Sequence, residues 1–553
     1  MNIINDLRKY TPREEQQRVH DFIFKVKNEK EHNKFFLLNL PTGVGKSHLA
    51  LMIANEYIAK VDPSAKVDII TATKILQDQY ADEYESISNL KGKENYSCHQ
   101  YSCSCAQGME FARLNKSKCD FCPYDSARLD YINGHVSLTN FYLYLIYAIY
   151  NQKIQKSRGA KVLIVDEAHE FDTVMSNFIS VKITDFMIKK FKFNNEHELI
   201  DKLRKVKSVE DYIEFLKMFL NEANDTIGQI DTGMVNDETR TNKADKRDLK
   251  ISKLFDLKNN DVKLMQLISD LRSLQTKIEV FLEDYKDDTD NWVLEKSYNE
   301  KTLQYEMSLE PLWAHKYLEK YVWCNYDMVI LMSGTILNKQ IFTELNGLDA
   351  DKSVYYSMPS PFEVKNRPIY YMPVGKMSFL KKEETFKKYV PFIEKILKKY
   401  SDKKGIIHTN SFELSQWISR DIKDKRLIFH DSGNKDEMLK KHLESDKPTV
   451  IVSPSMSMGV SFDHDKARFQ IVAKIPYPSL NSQKNKLRQK SHPDWYRYMT
   501  TAALVQTFGR VIRSKTDYGD TIIIDESFGD ILRYNSDFIP DWILSAIKTV
   551  KVK

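Results

Sequence analysis

The stretch Leu40-Pro41-Thr42-Gly43-Val44-Gly45-Lys46-Ser47 constrains this chain more than any other. An apolar run, Phe35-Phe36-Leu37-Leu38, precedes it and reads as a buried strand. His48-Leu49-Ala50-Leu51-Met52-Ile53-Ala54 follows and reads as a helix. Strand, glycine-bearing loop, Gly-Lys-Ser and helix together form the context of a phosphate-binding loop. Gly43 and Gly45 let backbone N–H groups turn inward around phosphate oxygens. The helix N-terminus adds its partial positive charge. Lys46 is placed to reach the β- and γ-phosphates of ATP, and Ser47 to hold Mg²⁺. Pro41, Thr42, Val44 and His48 complete the candidate nucleotide-binding set. The bland alternative is an ordinary glycine turn before a helix. One departure matters: the generic loop begins with Gly, and here that place is Leu40.

At 553 residues, and roughly 150 per domain, the chain has room for several domains. Hydrophobic residues make up 42%, enough for ordinary cores. The net charge of +6 permits nucleic-acid binding without establishing it. No apolar run approaches the roughly 18 residues of a membrane span. The first residues lack a signal-peptide core. The expectation is a cytoplasmic protein with no membrane partner. Six cysteines are present, and Cys98, Cys103, Cys105, Cys119 and Cys122 fall close together, with Cys324 apart. Beside a nucleotide site and without an export signal, such a cluster suggests metal or cofactor ligation over disulfides.

Short β-rich runs alternate with longer helical patterns, which implies parallel α/β layers. Strand candidates in the first half are 35–40, 67–73, 136–139, 162–165 and 328–332. In the second half they are 405–409, 427–430, 449–453, 470–474 and 521–524. Each set suffices for its own sheet. The intervening region 175–310 has few strand signals. Tyr212, Phe215, Leu216, Phe219 and Leu220 recur there at helical spacing, as do Leu264, Ile268, Leu271, Ile278 and Phe281. The polar stretch 221–260 between them reads as partly mobile.

Two further segments carry chemistry. Asp166-Glu167-Ala168-His169 ends the run Val162-Leu163-Ile164-Val165. Carboxylates at the carboxyl end of a parallel strand face a phosphate loop across the sheet. Asp166 is expected to hold Mg²⁺ through water, and Glu167 to orient and deprotonate the attacking water. Near the C-terminus, Gln506-Thr507-Phe508-Gly509-Arg510-Val511-Ile512-Arg513 places two arginines three apart, one helical turn. Arginines presented across a cleft stabilise charge on a transferring phosphoryl group. A solvated basic helix is the alternative. The catalytic candidates are therefore Lys46, Asp166, Glu167, Gln506, Arg510 and Arg513.

In order, these segments resemble the XPD/DinG family of superfamily-two DNA helicases over most of the chain. Pro41-Thr42-Gly43-Val44-Gly45-Lys46 has the helicase form of the loop. Arg13-x-x-Gln16 resembles the family's adenine-recognising segment. Thr71-Ala72-Thr73-Lys74-Ile75-Leu76-Gln77 resembles motif Ia, Ser333-Gly334-Thr335 motif III, and Gln506 to Arg513 motif VI. Leu90-Lys91-Gly92-Lys93-Glu94-Asn95-Tyr96-x-Cys98 resembles the lead-in to an iron–sulfur domain. Cys122-Pro123-Tyr124 resembles its exit, and Leu138-Thr139-Asn140-Phe141 the strand that follows.

The resemblance implies an α/β fold of two RecA-like parallel-sheet motor domains, the first with an iron–sulfur cluster insertion and a helical arch insertion. The first motor domain would comprise 1–95, 125–174 and 311–345, interrupted by the cluster insertion at 96–124 and the arch at 175–310. The second would be 346–553. The implied function is ATP-dependent movement on single-stranded DNA, 5′ to 3′, at DNA junctions, by a monomeric motor. An ATP-driven translocase or an ATP-switched DNA-binding repair factor without strand separation is the alternative.

A [4Fe–4S] cluster takes four Cys thiolates. Cys98 and Cys122 are anchored by their flanking motifs, and Cys119 by its Cys-x-x-Cys spacing to Cys122. The remaining ligand is Cys103 or Cys105; Cys105 is favoured because Cys105-Ala106-x-Gly108 is similar to a ligand segment in related chains. Zinc is the physical rival, since four thiolates also suit it. Lys91, Lys93, Arg113, Lys116, Lys118 and Arg128 alternate with Tyr96, Tyr101, Phe111, Phe121 and Tyr124, a mixture that suits single-strand contact. A solvated face over an aromatic core is the plainer reading of any one of them.

Two departures stand out. Where the family has Glu-Gly-x-Asp-Phe in motif V, this chain has Met458 for the Glu and Ser461 for the Asp, which puts coupling in doubt. Asp463 and Asp465 lie close by and are candidates to compensate. The twelve residues before Arg13 leave no room for an N-terminal exonuclease domain.

Overall fold

The computed structural model describes residues 11–550 except 31, 120, 238–261, 300–303, 432, 455–461 and 463. Its first large sheet runs Ser353–Ser357, Phe35–Asn39, Met328–Ser333, Val162–Asp166, Val67–Thr71, Val136–Asn140, Ser88–Asn89, with every pair parallel. The central strands are buried at every position, as expected of strands covered by helices on both faces. The second sheet runs Leu427–Phe429, Val450–Ser453, Gly405–His408, Phe469–Val472, Asp520–Asp525, Ile369–Gly375, Ile547–Thr549, again all parallel. These are the two α/β halves that the alternation of strand and helix signals predicts.

Four strands of these sheets escaped the sequence reading, one of them the two-residue edge Ser88–Asn89. Ser353–Ser357 pairs with Phe35–Asn39, so the first sheet continues beyond the expected boundary at 345. It is an edge strand with one fully buried residue, and its apolar signal is correspondingly weak. Ile369–Gly375 carries Pro373 inside the strand, next to a register shift between Tyr371 and Gly375. A strand tolerates proline only where ladder pairing lapses. Ile547–Thr549 is a three-residue edge.

The region 175–310 is not wholly helical. Helices Asp185–Phe191, Glu196–Lys205, Val209–Asp237 and Val262–Tyr285 pack with an antiparallel sheet of Val181–Thr184, Gln304–Pro311 and Trp292–Asn299. Half of Trp292–Asn299 is exposed, so its composition is polar and its strand signal faint. Part of the stretch expected to be mobile, up to Asp237, is helix, and 238–260 lies outside the described residues. The helical periodicity itself is realised: Tyr212, Phe215, Leu216 and Phe219 are buried together with Leu271, Ile278 and Phe281.

The cysteine insertion is a small unit with its own core. Ser97–Cys98 pairs with Cys103–Ser104, and Cys105–Leu114 and Pro123–Asn133 are helices. Its helix Cys105–Leu114 packs on Val262–Tyr285 through Phe111, Leu264, Met265 and Ile268, with Gln107 donating to Gln266 at 3.1 Å. The two insertions therefore touch each other above the first sheet.

Arg158 staples that sheet at one end. Its fully buried guanidinium donates to Asp68 at 2.9 Å and to the Val67 carbonyl at 3.0 Å, and also bonds the Gly134 carbonyl. Tyr326 donates to the other Asp68 oxygen at 2.7 Å. Arg158→Ala would leave the Asp68 carboxylate buried against one hydroxyl. The expected loss is roughly 3–5 kcal/mol of stability, read as a lower denaturation midpoint in the transition of the first sheet domain.

Candidate active site

The phosphate loop lies between two sheets because of strand order. Phe35–Asn39 is flanked by Met328–Ser333, which is flanked by Val162–Asp166. The carboxyl ends of these three parallel strands lie side by side, so the loop, Ser333 and the Asp166-Glu167 pair face one cleft. Gly43 and Gly45 adopt φ of 81° and 79°, the left-handed region open to glycine. The helix begins at Lys46.

Arg13 and Gln16 clamp this loop from outside. Arg13 Nη1 donates to the Gly43 carbonyl at 2.7 Å. Gln16 Nε2 donates to the Val44 and Gly45 carbonyls at 3.1 and 2.9 Å. With its carbonyls held outward, the loop presents its N–H groups to the cleft. Arg13, Gly43, Val44, Phe362 and Lys515 line a cavity of about 340 Å³ beside it.

Lys46 Nζ lies 2.8 Å from Glu167 Oε1, an ion pair across the loop. Burial works against the Lys46 charge, but Glu167 and Asp166 outweigh it and hold the Lys46 pKa raised. Burial also works against the Glu167 charge, yet Lys46, His169 and Arg513 hold the carboxyl below its ordinary range. Burial raises the Asp166 pKa, only partly offset by Lys46. Two adjacent carboxylates thus have opposite tendencies, because Glu167 feels Lys46, His169 and Arg513 together, whereas at Asp166 burial outweighs Lys46. Glu167 sits at φ 57°, ψ 45°. That is a strained backbone for a residue with a side chain, held where the chemistry would occur.

Asp166 Oδ1 accepts from the Glu167 amide at 3.0 Å and Oδ2 from the Tyr80 hydroxyl at 3.1 Å. Burial holds the Tyr80 pKa well above its ordinary value, and Asp166 adds to that, whereas Ser47 acts to lower it. His48 is buried and its pKa is lowered by burial, then by Arg13; it lies on the helix, 3.4 Å from the Tyr84 hydroxyl.

The second sheet supplies the far wall. Helix Pro493–Phe508 ends at the loop, and Gly509 closes it. A Cβ at Gly509 would stand 3.0 Å from Thr42 Oγ1, whose hydroxyl donates to the Gly509 carbonyl at 3.2 Å. Gln506 contacts His169, and His169 Nδ1 stands 2.7 Å from Ser333 Oγ. The expected helical turn joining Arg510 and Arg513 is not formed: both follow the helix end, on the loop that begins at Gly509. The glycine ends the helix so that backbone can approach Thr42. The arginines still reach the cleft. The Glu167 carboxyl feels Arg513, and Arg510 feels Glu167 and Glu170. Burial, then Arg513, pulls Arg510 down to about 10, which leaves it charged at neutral pH.

Sequence reasoning missed four participants. Ser333 and Thr335 belong to the quoted Ser-Gly-Thr motif, and His169 to the quoted acidic motif, so their signals were present. Tyr498, which donates to the Thr335 carbonyl at 3.0 Å across the domain boundary, had none. Met458, Ser461 and Asp463 lie outside the described residues. Asp465 is exposed and accepts from Arg468 at 2.9 Å.

In the cysteine insertion, Cys122 Sγ lies 4.0 Å from Cys105 Sγ. Burial raises Cys105 to about 11, with Cys122 and Cys98 adding to it. Burial likewise raises Cys119 to about 11, followed by Cys98, Cys122 and Cys105. Those four thiols form one mutually interacting group. Cys103 feels Cys98 and Glu94 instead, and packs against Phe111 and Leu264. All six cysteines are free, and among the described residues no set of His, Cys, Asp and Glu converges as a single-ion site. A cubane cluster differs from a single ion in holding its thiolates apart at separate corners. Of the interleaved aromatics, Phe111 and Tyr124 are core, whereas Phe121 is 95% exposed. Among the described residues no helix is long and apolar enough to cross a membrane.

Comparison with known proteins agrees with this arrangement. A family model described as Helicase C-terminal domain matches residues 393–544. Another, described as Type III restriction enzyme, res subunit, matches residues 9–194. A solved XPD helicase aligns over 98% of this chain and 100% of its own, with TM-score 0.64 and 14% identity. These matches together support an XPD/DinG-like superfamily-two helicase. S. tokodaii Xpd4 matches this helicase over 97% of the chain and 100% of its own, with TM-score 0.59 and 14% identity. At such identity the likeness is one of fold. A probable ATP-dependent helicase of Methanocaldococcus jannaschii is 22% identical, covering 94% of this helicase and 92% of the relative. The ATP-dependent DNA helicase CHL1 of Vanderwaltozyma polyspora is 24% identical, over 77% of this helicase and 58% of the relative.

Gly43 shows how tightly the helicase closes. A Cβ there would lie 2.4 Å from the Arg513 carbonyl oxygen, in a left-handed conformation costing about 1–2 kcal/mol for other residues. Gly43→Ala is expected to weaken ATP binding by about tenfold or more, a factor worth 1.4 kcal/mol, measured by titration with a fluorescent nucleotide.

Proposed function

We propose that this helicase acts on DNA, stepping 5′ to 3′ along a single strand and separating duplex at junctions while it hydrolyses ATP between its two parallel-sheet domains. One observation carries the reading: a single cleft is lined by Thr42, Glu167 and His169 from one domain and by Gln506 and Gly509 from the other, with Glu167 paired to Lys46 and within the electrostatic reach of Arg510 and Arg513. DNA as the track rests on the family and on the named DNA helicase among the relatives. The polarity rests on the family resemblance alone.

The roles follow from the geometry. Arg13 and Gln16 hold the loop carbonyls away, so the inward N–H groups take phosphate oxygens. Lys46 exchanges Glu167 for the β- and γ-phosphates, a more highly charged partner. Glu167, released from that pair and held in place by its strained backbone, accepts the proton of the attacking water. Magnesium, held by Ser47 and Asp166, would neutralise phosphate charge. Arg510 and Arg513 stabilise charge that develops on the phosphoryl group. Gln506 reads the first domain through His169. Loss of phosphate removes what Lys46 and the arginines share, so the cleft opens and one step is completed. Separating one base-pair step costs about 1.4 kcal/mol of stacking, well within reach of ATP hydrolysis.

Cys98, Cys105, Cys119 and Cys122 would hold a [4Fe–4S] cluster. Support comes from their mutual grouping and from buried thiols whose ionisation needs a compensating cation. Such a cluster would act as a covalent staple for an insertion with a core too small to hold itself rigid. The exposed Phe121 beside it offers a face for stacking on a base.

The test is unwinding of 5′-tailed against 3′-tailed duplexes by iron-replete protein. The 5′-tailed substrate should be opened and the 3′-tailed one left intact. Lys46→Ala should lower ATP turnover at least about a hundredfold with the fold unchanged by circular dichroism; full turnover would refute the nucleotide site. Cys122→Ser should lose iron, the visible absorption band and unwinding while keeping ATP turnover. A full complement of zinc in the native protein, without the band, would replace the cluster by zinc.

A further inference from the structure

We infer that Tyr80 is a positioning residue that fixes the Asp166 carboxylate, and so presents its free lone pairs to a divalent cation. The inference rests on the reading of Ser47 and Asp166 as the magnesium pair. Tyr80 lies on helix Lys74–Glu83 and is fully buried. Its ring packs in the apolar core beneath the phosphate loop, with Leu49 and Ile69 in the same cluster. Apolar packing alone would be served as well by phenylalanine or leucine. The hydroxyl is what demands an explanation, since a buried polar group costs free energy unless it is bonded.

The Tyr80 hydroxyl donates to Asp166 Oδ2 at 3.1 Å. A phenol has one proton to give, and here the carboxylate takes it. Asp166 accepts one bond on each oxygen, from Tyr80 and from the Glu167 amide at 3.0 Å, which fixes the carboxylate plane. Without the phenol, the Asp166 carboxylate could rotate out of that plane.

The rigidity of this arrangement comes from the turn before it. Gln77, three residues back on the same helix, donates to the Leu90 carbonyl at 2.8 Å and to Asn89 Oδ1 at 2.6 Å, and accepts from Asn140 at 3.1 Å. Those partners belong to the two segments that enter and leave the cysteine insertion. The helix is thereby pinned at one turn and presents Tyr80 at the next. Groups that orient metal ligands without touching the metal typically change its affinity 10–100-fold when removed.

Tyr80→Phe keeps the ring and removes only the oxygen. The experiment titrates Mg²⁺ into full-length protein with a fluorescent N-methylanthraniloyl ATP, for wild type, Tyr80→Phe and Tyr212→Phe, alongside thermal melts. Tyr212 is another buried tyrosine, on helix Val209–Asp237, whose hydroxyl donates to the Met307 carbonyl at 2.9 Å, and controls for loss of a buried hydroxyl. Tyr80→Phe should raise the Mg²⁺ half-saturation about tenfold or more, leave metal-free nucleotide binding unchanged, and melt like the Tyr212→Phe control. An unchanged half-saturation, or an equal loss of metal-free binding, overturns the proposal. Nucleotide binding by wild type that ignores Mg²⁺ overturns instead the assignment of Ser47 and Asp166, a separate failure with a separate signature.

Discussion

The ion pair between Lys46 and Glu167 organises this molecule. Each is a largely buried charge in a cleft floored by apolar strand ends, and each keeps its charge because of the other. The pair exists because two strands separated by one neighbour in the sheet end at the same level. Asp166, one residue earlier at the end of the strand, is more deeply buried, and that burial raises its pKa. Glu167 lies past the strand in a left-handed conformation, so two neighbouring carboxylates meet different surroundings.

Because the pair is only one wall of the cleft, the rest of the chain serves to bring the other wall to it and take it away. Thr42 to Gly509, Tyr498 to Thr335 and Lys515 to Glu15 at 2.8 Å bind the domains at the nucleotide cleft. Further off, helix Gln483–Ser491 of the second domain sits against the antiparallel sheet of the arch. Lys484 donates to Ser176 at 2.6 Å, and Glu295 accepts from Ser482 at 2.7 Å. Arg488 lies between Trp313 and Trp495, 4.8 and 5.4 Å from their rings, and donates to the Leu312 carbonyl. The second domain thereby contacts the arch as well as the phosphate loop. The arch in turn packs on the cysteine insertion through Gln107 and Gln266. Cleft, arch and insertion form a closed circuit of contacts.

Much of this was legible before any coordinates. Ten strands announced themselves, all but the edge strand Leu427–Phe429 almost wholly buried, because a strand covered on both faces is largely apolar. The loop, the acidic pair and the arginine segment were legible because their chemistry tolerates few residue types at fixed spacing. The illegible elements share a cause. Ser353–Ser357, Ile547–Thr549 and Trp292–Asn299 are edge or half-exposed strands, whose polar faces hide their periodicity. Ile369–Gly375 is disguised by its proline. Arg510 and Arg513 were placed on a helix because their spacing allows one, and Gly509 ended it first.

The sequence by itself determined the strand–loop–helix around Lys46, the carboxylates at the end of a buried strand, and the grouping of cysteines, because each depends on residues near in the chain. Tertiary structure alone decided which side chains meet. Tyr80 reaches Asp166, Gln506 reaches His169, and Arg513 reaches Gly43 only because strand order in two sheets brings distant ends together. It also set Cys105 Sγ 4.0 Å from Cys122 Sγ, while Cys103 pairs with Cys98 on neighbouring strands. Spacing along a chain records what a residue could do; the orientation of a carboxylate, as at Asp166, is set by the neighbours that folding supplies.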